Sequence, residues 1–332
     1  MKKIVGFILS IVILLIILYI IGVKKVINVL LKVNLTFVFI AILMELVVIL
    51  IMTLRWKYVL KVLDYSPSIK NLFLLVLLGQ FINNITPSMR GGGEPFRAYY
   101  LYKLENIPKG VAFSSVLVER VLDTIIFLFM TITVIAHFIT CGFEYTNYLI
   151  FSWIFIFITS FFLFYIILNK NLLIKMALKV NKFIEKFKKN KYNEDKILNS
   201  IEEFYSSLKM FKKSKKDGNV IIAIILSFLW YILDILKLWI LFLAIPYYIS
   251  IINVASVYLV TLLSGIFSPT PSGFGTSDIV MIGAFSLLNT NPSVATVITL
   301  LDRFISYILP TIFGYLASLY IYKKAGERYY GK

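Results

Sequence analysis

The amino-acid sequence predicts an all-α protein, a polytopic membrane helical bundle of about six to eight transmembrane helices with two re-entrant broken hairpins in an inverted repeat. Three observations predict this fold: the hydropathy, the distribution of lysines, and a motif that occurs twice. The 332 residues are 60% hydrophobic with a mean hydropathy of +0.88, which is more apolar surface than a soluble domain of this length can bury. The apolar runs are continuous, which argues against a β-barrel. We expect residues 1–332 to form a single membrane domain.

Six segments are long and apolar enough to cross a hydrocarbon core of roughly 30 Å. The predicted crossings are residues 4–22, 36–56, 111–139, 147–168, 220–244 and 294–322. The first of them resembles a signal peptide, but no small-residue cleavage site follows it. An uncleaved first helix is therefore predicted.

The lysines predict the orientation of the chain. Fourteen lysines lie between Lys170 and Lys216, and such an excess is typical of cytoplasmic loops, which face anionic lipid headgroups. We therefore expect a multi-pass protein of the cell membrane with the loop 169–219 and both termini in the cytoplasm. Apolar residues recur at helical spacing in this loop, which indicates amphipathic helices on the membrane surface or a solvated hairpin. The segment 23–34 carries three lysines on the opposite side, and a short interfacial helix would accommodate them.

Composition argues against several classes of function. The net charge of +17 is concentrated in the basic loop, so we expect no binding of nucleic acid. Cys141 is the only cysteine and His137 the only histidine, which excludes an internal disulfide and a thiolate metal cluster. The glycine motifs of nucleotide-binding proteins do not occur in the sequence, and we expect neither a cofactor nor ATP hydrolysis.

Two further regions, 71–105 and 251–290, each consist of an apolar run, a break rich in proline and glycine, and a second run. We predict re-entrant hairpins in both places. Non-helical backbone at membrane depth requires protein or a water-filled cavity to satisfy its polar groups. The two breaks are therefore expected to line a cavity.

A motif is shared by the two breaks. PSMRGGGE at 87–94 and PSGFGTSD at 271–278 both follow the pattern P-S-x-x-G-x-x-acid. An acid–arginine pair lies in the apolar helix after each motif, Glu119–Arg120 after the first and Asp302–Arg303 after the second. The distances from the motif prolines to these acids, 32 and 31 residues, are nearly equal. This spacing predicts an internal duplication.

The charge-based threading gives the two copies opposite directions through the membrane. The inverted units are predicted at about 36–139 and 220–322, an architecture found in transporters that alternate between two faces. Their breaks should meet near the bilayer midplane and form a wet, cationic chamber there.

Buried charges mark the candidate binding site. An ionised side chain at mid-bilayer costs roughly 2.5–3.5 kcal/mol on insertion scales, so such residues are either structural ion pairs or functional groups. Arginine side chains and glycine N–H groups at a helix start are donors suited to an anion, with phosphate as the first candidate. For Asp234 and Lys237 a structural pairing is equally favoured, and for Glu45 it is slightly preferred. The predicted substrate-binding residues are Arg90, Gly91, Gly92, Glu94, Arg97, Glu119, Arg120, Asp123, Asp278, Asp302 and Arg303.

Four stretches, GQFINNITPSMRGGGEPFRA, VLVERVLD, SPTPSGFGTSD and LLDRFISY, resemble the lysylphosphatidylglycerol synthase transmembrane-region family, in family order and over nearly the whole chain. The resemblance implies translocation of a phospholipid or polyprenyl-linked lipid between leaflets. Asp278 stands where the family often has glutamate. The positions that align with the family motifs are Pro87, Arg90, Gly91, Gly92, Glu94 and Arg97, then Glu119, Arg120 and Asp123, then Pro271, Gly273, Gly275 and Asp278, then Asp302 and Arg303.

The leading hypothesis is a flippase that moves an anionic phospholipid or a polyprenyl-phosphate-linked lipid through a charged midplane cavity. The alternative is a secondary transporter of a small anionic solute, with Glu119 or Asp123 carrying a proton. A membrane enzyme with Mg²⁺ held by the acids and a non-transporting scaffold are less favoured. The family's synthases carry an aminoacyltransferase domain that this sequence does not include, so we expect no enzymatic activity. The sequence leaves open the lipid, the direction of transport, the coupling ion and a homo-oligomeric state.

Overall fold

A computed structural model describes residues 12–13, 15–86, 92–140, 142, 144, 146–185, 194–213 and 217–330. Helices dominate this part of the chain. They are α1 (residues 15–21), α2 (Val23–Leu30), α3 (Leu35–Val62), α4 (Ile69–Ile85), α5 (Glu94–Glu105), α6 (Lys109–Thr140), α7 (Thr146–Leu168), α8 (Lys170–Glu185), α9 (Glu194–Lys213), α10 (Asp217–Leu243), α11 (Ile251–Ile266), α12 (Thr276–Leu287), α13 (Pro292–Arg303), a π-helical turn (Phe304–Ile308) and α14 (Leu309–Tyr330).

Five helical segments within the described ranges are long and apolar enough to cross a membrane. They are Leu35–Val62, Lys109–Thr140, Thr146–Leu168, Gly218–Leu243 and Pro292–Gly326. These segments correspond to five of the six predicted crossings and confirm a multi-pass helical membrane protein. The predicted crossing 4–22 lies partly outside the described residues.

Each of the two predicted broken regions contains two short helices separated by a break. In the first region α4 has 17 residues and α5 has 12, and in the second α11 has 16 and α12 has 12. The second break requires positive φ at Ser272, Gly273 and Gly275, which ends the helical hydrogen-bond pattern. The helix–break–helix pattern therefore agrees with the sequence prediction, while re-entry into the membrane and the inverted repeat stay predictions.

Two extended helix pairs organise the bundle. α3 packs along α10, and α4 packs along α14. One apolar core surrounds Trp56 and Leu72 beneath α5 and α6, and another surrounds Phe242 and Phe285 between α10 and α12. The outer face of α7 carries exposed phenylalanines such as Phe151 and Phe161, and so large an apolar surface fits contact with lipid.

The basic loop contains the helical hairpin of α8 and α9, and α9 docks on the start of α6. The Glu203 carboxylate accepts a hydrogen bond from the Gly110 N–H at 3.1 Å. A Cβ atom on Gly110 would lie 2.3 Å from the Glu203 Cβ, so only glycine permits this close approach. The ring of Phe204 meets that of Phe113 edge-on at a centroid distance of 6.4 Å. The hairpin is thus attached to the membrane-spanning bundle.

Candidate functional site

The acids and arginines of the first unit form one buried ion-pair network. α3 contributes Arg55, α5 contributes Glu94 and Arg97, and α6 contributes Glu119 and Asp123, which share a face because they are four residues apart. Arg55 Nε lies 3.1 Å from Glu119 Oε1, and Arg97 Nη2 lies 2.7 Å from Glu119 Oε2. Arg55 also bonds Asp123, and Arg97 Nη1 lies 3.1 Å from Glu94 Oε2. Each oxygen of Glu119 therefore binds a different arginine.

Arg120 is the most accessible arginine of this network. Its side chain is 25% exposed, and its guanidinium lies 3.5 Å from Glu94 and 3.2 Å from Asp123. The Arg120 Nε has no hydrogen-bond partner among the described residues. Both contacts with the acids are longer than the Arg97–Glu119 bond, so Arg120 retains donor capacity for another anion.

The second unit contains a smaller network around Arg303. Its Nε donates to the Asp278 carboxylate, and its Nη1 donates to the Ser272 carbonyl at 3.2 Å. Asp278 in turn accepts from the Gly275 N–H at 2.8 Å, which caps α12. The Arg303 guanidinium carbon also lies 4.3 Å from the centroid of the Tyr307 ring. Arg303 therefore connects the second break to the π-helical turn.

One ion pair of the first network has an equivalent in the second. In the aligned motifs Glu94 corresponds to Asp278, and Arg120 corresponds to Arg303. Arg120 forms an ion pair with Glu94, and Arg303 forms one with Asp278. The acid that ends each break therefore pairs with the arginine of the following helix in both units.

A third network joins α3 to α10. The Lys237 ammonium donates to Glu45 and to Asp234, the latter at 2.7 Å. The Tyr258 hydroxyl donates to the other Asp234 oxygen at 2.7 Å. Glu45, Asp234 and Lys237 were not among the predicted binding residues. Their positions inside apolar helices were the signal that could have assigned them to the binding site.

A cavity of about 100 Å³ lies between these networks. Of the predicted binding residues, Glu94, Arg97, Arg120 and Asp302 line it. Glu119, Asp123, Asp278 and Arg303 are not in its lining. The cavity is lined by Glu45, Val48, Met52, Val76, Gly79, Gln80, Asn83, Asn84, Glu94, Arg97, Arg120, Trp230, Asp234, Lys237, Tyr258, Leu262, Asp302, Ser306 and Tyr307.

The expectation of a cationic chamber is wrong for the described part of the lining. Four carboxylates face three cations there: Glu45, Glu94, Asp234 and Asp302 against Arg97, Arg120 and Lys237. The reason is that buried cations in apolar helices come with their own acids, often one helical turn away. In the described chain no group of three or more acidic, histidine or cysteine side chains is arranged to hold a metal ion.

Two predicted site residues, Arg90 and Gly91, lie outside the described residues, as does Pro87. Gly92 and Gly93 are described, and both pack closely against α4 or its end. A Cβ atom on Gly92 would lie 2.2 Å from Thr86 Oγ1, and one on Gly93 would lie 2.2 Å from the Gly79 carbonyl oxygen. The Gly93 N–H donates to Asn83 Oδ1 at 2.7 Å. These two glycines therefore allow the backbone directly before α5 to lie close to α4.

A second, apolar cavity of about 520 Å³ lies against a different face of α5 and the first half of α6, where α9 covers them. The only charged side chain in its described lining is that of Lys109. Its lining residues are Pro95, Ala98, Tyr99, Lys109, Gly110, Phe113, Leu117, Ile167, Leu173, Ile201 and Phe204.

Comparison with known proteins finds similarity over nearly the whole chain. The sequence profile of the family described as the lysylphosphatidylglycerol synthase TM region matches residues 3–314. A UPF0104 membrane protein of Methanocaldococcus jannaschii is 57% identical, over 93% of this chain and 91% of the relative. Another, from Methanothermobacter thermautotrophicus, is 30% identical over 93% of this chain and 92% of its own length. One from Pyrococcus horikoshii is 26% identical over 95% and 96%, respectively.

Proposed function

Since the chain belongs to the family of the lysylphosphatidylglycerol synthase TM region, we propose that it is a lipid flippase. Its cargo is an anionic phospholipid or a polyprenyl-phosphate-linked lipid, which it moves between the two leaflets. One observation carries the proposal: α5 and α6 present charged side chains to one cavity and apolar side chains to another. A lipid has the same two-part chemistry.

The charged cavity suits a phosphate-bearing headgroup. Arg120 lines it with a partly exposed side chain, and its contact with Glu94 is the longest ion pair of the network at 3.5 Å. A phosphate oxygen can replace this contact with a shorter charge-assisted hydrogen bond. The amide groups of Gln80 and Asn83 also line the cavity and offer further donors to the headgroup, whereas the amide of Asn84 donates to Tyr307 and Thr311.

The apolar cavity suits the chain of the same lipid. On α5, Pro95 lines the apolar cavity directly after Glu94, which lines the charged one. On α6, Leu117 lines the apolar cavity three residues before Arg120. Headgroup and chain would therefore lie on different faces of α5 and about one helical turn apart along α6. A small soluble anion would not occupy the apolar cavity. The solute transporter is therefore the second candidate.

The paired contacts Arg120–Glu94 and Arg303–Asp278 support an internal duplication. Together with the opposite directions that the lysines predict, they favour two inverted units whose breaks re-enter the membrane and face each other near its midplane. Alternating access between the leaflets follows from that arrangement. The positive-inside rule places both termini in the cytoplasm. We propose no enzymatic step and no cofactor for this activity.

Leaflet exchange in reconstituted vesicles tests the proposal. The protein is reconstituted with a fluorescent phosphatidylglycerol, and a membrane-impermeant quencher reports the fraction in the outer leaflet over time. A hydrogen bond to a charged group contributes about 1.5–3 kcal/mol, so we expect Arg120→Ala to slow exchange by about tenfold or more. Lys175→Ala, on α8 outside both cavities, is the matched control and should exchange at the wild-type rate.

Two results would contradict the flippase proposal: wild-type vesicles that exchange lipid no faster than protein-free vesicles, or Arg120→Ala vesicles that match the wild type. Uptake of labelled inorganic phosphate, measured in the same vesicles, distinguishes the solute transporter. Phosphate uptake without lipid exchange would favour that second candidate.

A further inference from the structure

Carboxylates outnumber cations around the third network. The proposed flippase function assigns no role to this excess of negative charge. Glu45, Asp234 and Asp302 face the single ammonium of Lys237 around the cavity. Lys237 contacts Glu45 and Asp234 directly. Asp302 accepts a hydrogen bond from the Ser306 hydroxyl at 2.8 Å, and no ion pair to Asp302 occurs among the described residues. Each of the other three carboxylates in the described lining contacts a lysine or an arginine.

An ionised carboxylate in such a place is unfavourable. Asp302 is half-buried at the edge of the cavity, and an ionised carboxylate that loses part of its water requires a cation in contact or several hydrogen bonds as compensation. The carboxylates of Glu45 on α3 and Asp234 on α10 line the same cavity as Asp302, and both are in contact with the Lys237 ammonium. On the neighbouring elements, Arg303 is engaged by Asp278 of α12, and Tyr258 of α11 donates to Asp234. Among the four carboxylates of the described lining, Asp302 is thus the one without a cation in direct contact.

The backbone at this position is also unusual. The π-helical turn Phe304–Ile308 begins directly after Arg303 and includes Ser306. Such turns are rare and occur frequently at functional sites, where they displace side chains from regular helical positions. Asp302 and its hydroxyl donor therefore lie at a local irregularity that also borders the charged cavity.

We propose that the Asp302 carboxylate binds the proton that couples lipid movement to a proton gradient. This inference rests on the proposed flippase function and names its coupling ion. A proton from the solution on one side enters the cavity and forms an O–H bond with Asp302. After the headgroup has moved, the same proton leaves to the other side, so that no other bond changes.

The coupling follows from the charge of the cavity. Its described lining carries four carboxylates against three cations, so an anionic headgroup enters a site with no excess of positive charge. Protonation of Asp302 leaves three carboxylates against three cations in the described lining. It thereby lowers the electrostatic repulsion between the cavity and the phosphate. The proton and the headgroup therefore bind cooperatively, each raising the affinity for the other by the same factor. Both should move in the same direction.

Vesicles with an imposed pH difference test the coupling. Fluorescent phosphatidylglycerol and an internal pH indicator are followed together. With one coupled proton, a difference of one pH unit shifts the steady-state leaflet ratio by about tenfold. For Asp302→Asn we expect the leaflet ratio to become independent of the pH difference. Asp195→Asn, which removes an exposed carboxyl group on α9, should keep the full shift. A wild-type leaflet ratio that ignores the pH difference would overturn the proposal while lipid exchange itself still supports a flippase.

A second measurement is independent of transport. Infrared difference spectra between low and high pH detect the C=O stretch of a protonated carboxyl group in the purified protein. In the wild type we expect a band that titrates with pH. The band should be missing in Asp302→Asn and displaced in Asp302→Glu. If the band is present but wild-type vesicles exchange no lipid, the flippase function fails and the proton site stands. If Asp302→Asn and wild type give identical bands, the proton site is wrong whatever the vesicles show.

Discussion

Glu119 illustrates how a buried charge can be structural although it lies next to the cavity. Its two oxygens bind Arg55 and Arg97, and both guanidinium groups are buried. Arg97 also lies over the Trp56 ring at 4.1 Å, so that α3, α5 and α6 meet at one carboxylate. The sequence motif E-R-x-x-D therefore combines two roles. Glu119 holds the helices together, and Arg120 faces the cavity.

The substitution Glu119→Gln tests the structural role. It removes the negative charge but keeps the size of the side chain, which leaves two buried cations with less compensation. Loss of one partner of a buried ion pair costs about 3–5 kcal/mol, and we expect a clearly lower thermal unfolding midpoint in detergent. Glu202→Gln is the matched control, because Glu202 pairs with Lys170 at the surface with a side chain 66% exposed. Exposed pairs contribute about 1 kcal/mol or less. Equal midpoints for the two variants would refute the structural role.

At the scale of elements, α5 and α6 border both the charged cavity and the apolar one. α5 begins at Glu94 with proline as its second residue, which suits the first turn of a helix. Its Arg97 side lines the charged cavity, whereas Pro95, Ala98 and Tyr99 line the apolar one. The hairpin of α8 and α9 closes the apolar cavity through Ile201 and Phe204. This helix hairpin therefore contributes to the proposed binding site for the lipid chain.

The substitution Leu117→Trp tests whether the apolar cavity holds a lipid chain. The larger side chain occupies the cavity, and displacing a chain from it costs about 1–3 kcal/mol by analogy with overpacked cores. We expect lipid exchange to slow by about tenfold. Ile125→Trp is the control on the same helix, because Ile125 is 54% exposed on the outer face. If Leu117→Trp exchanges lipid as fast as Ile125→Trp, the apolar cavity has no part in transport.

The limits of sequence-based prediction are visible in these same elements. Continuous hydropathy was enough to predict the long helices and to identify Glu119 and Asp302 as unusual. The spacing of the motifs was enough to relate Arg120 to Arg303. Partners that are distant in sequence were not predictable. Arg55 meets Glu119 across 64 residues, and Lys237 meets Glu45 across 192. Those contacts depend on how α3 packs against α6 and α10, which no local pattern specifies.

At the scale of the whole molecule, the two related ion pairs differ in tightness. Both side chains of Arg303–Asp278 are buried, whereas Arg120–Glu94 is longer, at 3.5 Å, and borders the cavity. In an inverted repeat, equivalent contacts on the two sides alternate between a closed and an open form as access changes. On the proposed inverted repeat, we expect the structure to represent one end state, with the contact of the second unit closed and that of the first unit loosened.

Cysteine labelling tests this asymmetry. Ser272 is buried beside the closed pair, and its carbonyl accepts from Arg303. In a background with Cys141 replaced by serine, a cysteine introduced by Ser272→Cys should react slowly with a polar maleimide. Asp278→Asn removes the charge that holds Arg303 but keeps an oxygen for the Gly275 N–H. We therefore expect this second substitution to weaken the closed contact and to raise the labelling rate several-fold, about the effect of 1 kcal/mol.

The matched control for the labelling experiment is Glu94→Gln, which weakens the equivalent contact of the first unit. That contact is the looser of the two, at 3.5 Å, so its loss should leave the labelling of Ser272→Cys slow. An equal rise of the labelling rate in Glu94→Gln and Asp278→Asn would show that either substitution loosens the bundle generally. An unchanged labelling rate in Asp278→Asn would show that the Arg303–Asp278 pair does not hold the second break closed. Acceleration by Asp278→Asn alone is the result that two alternating contacts require, because only a closed contact can be released.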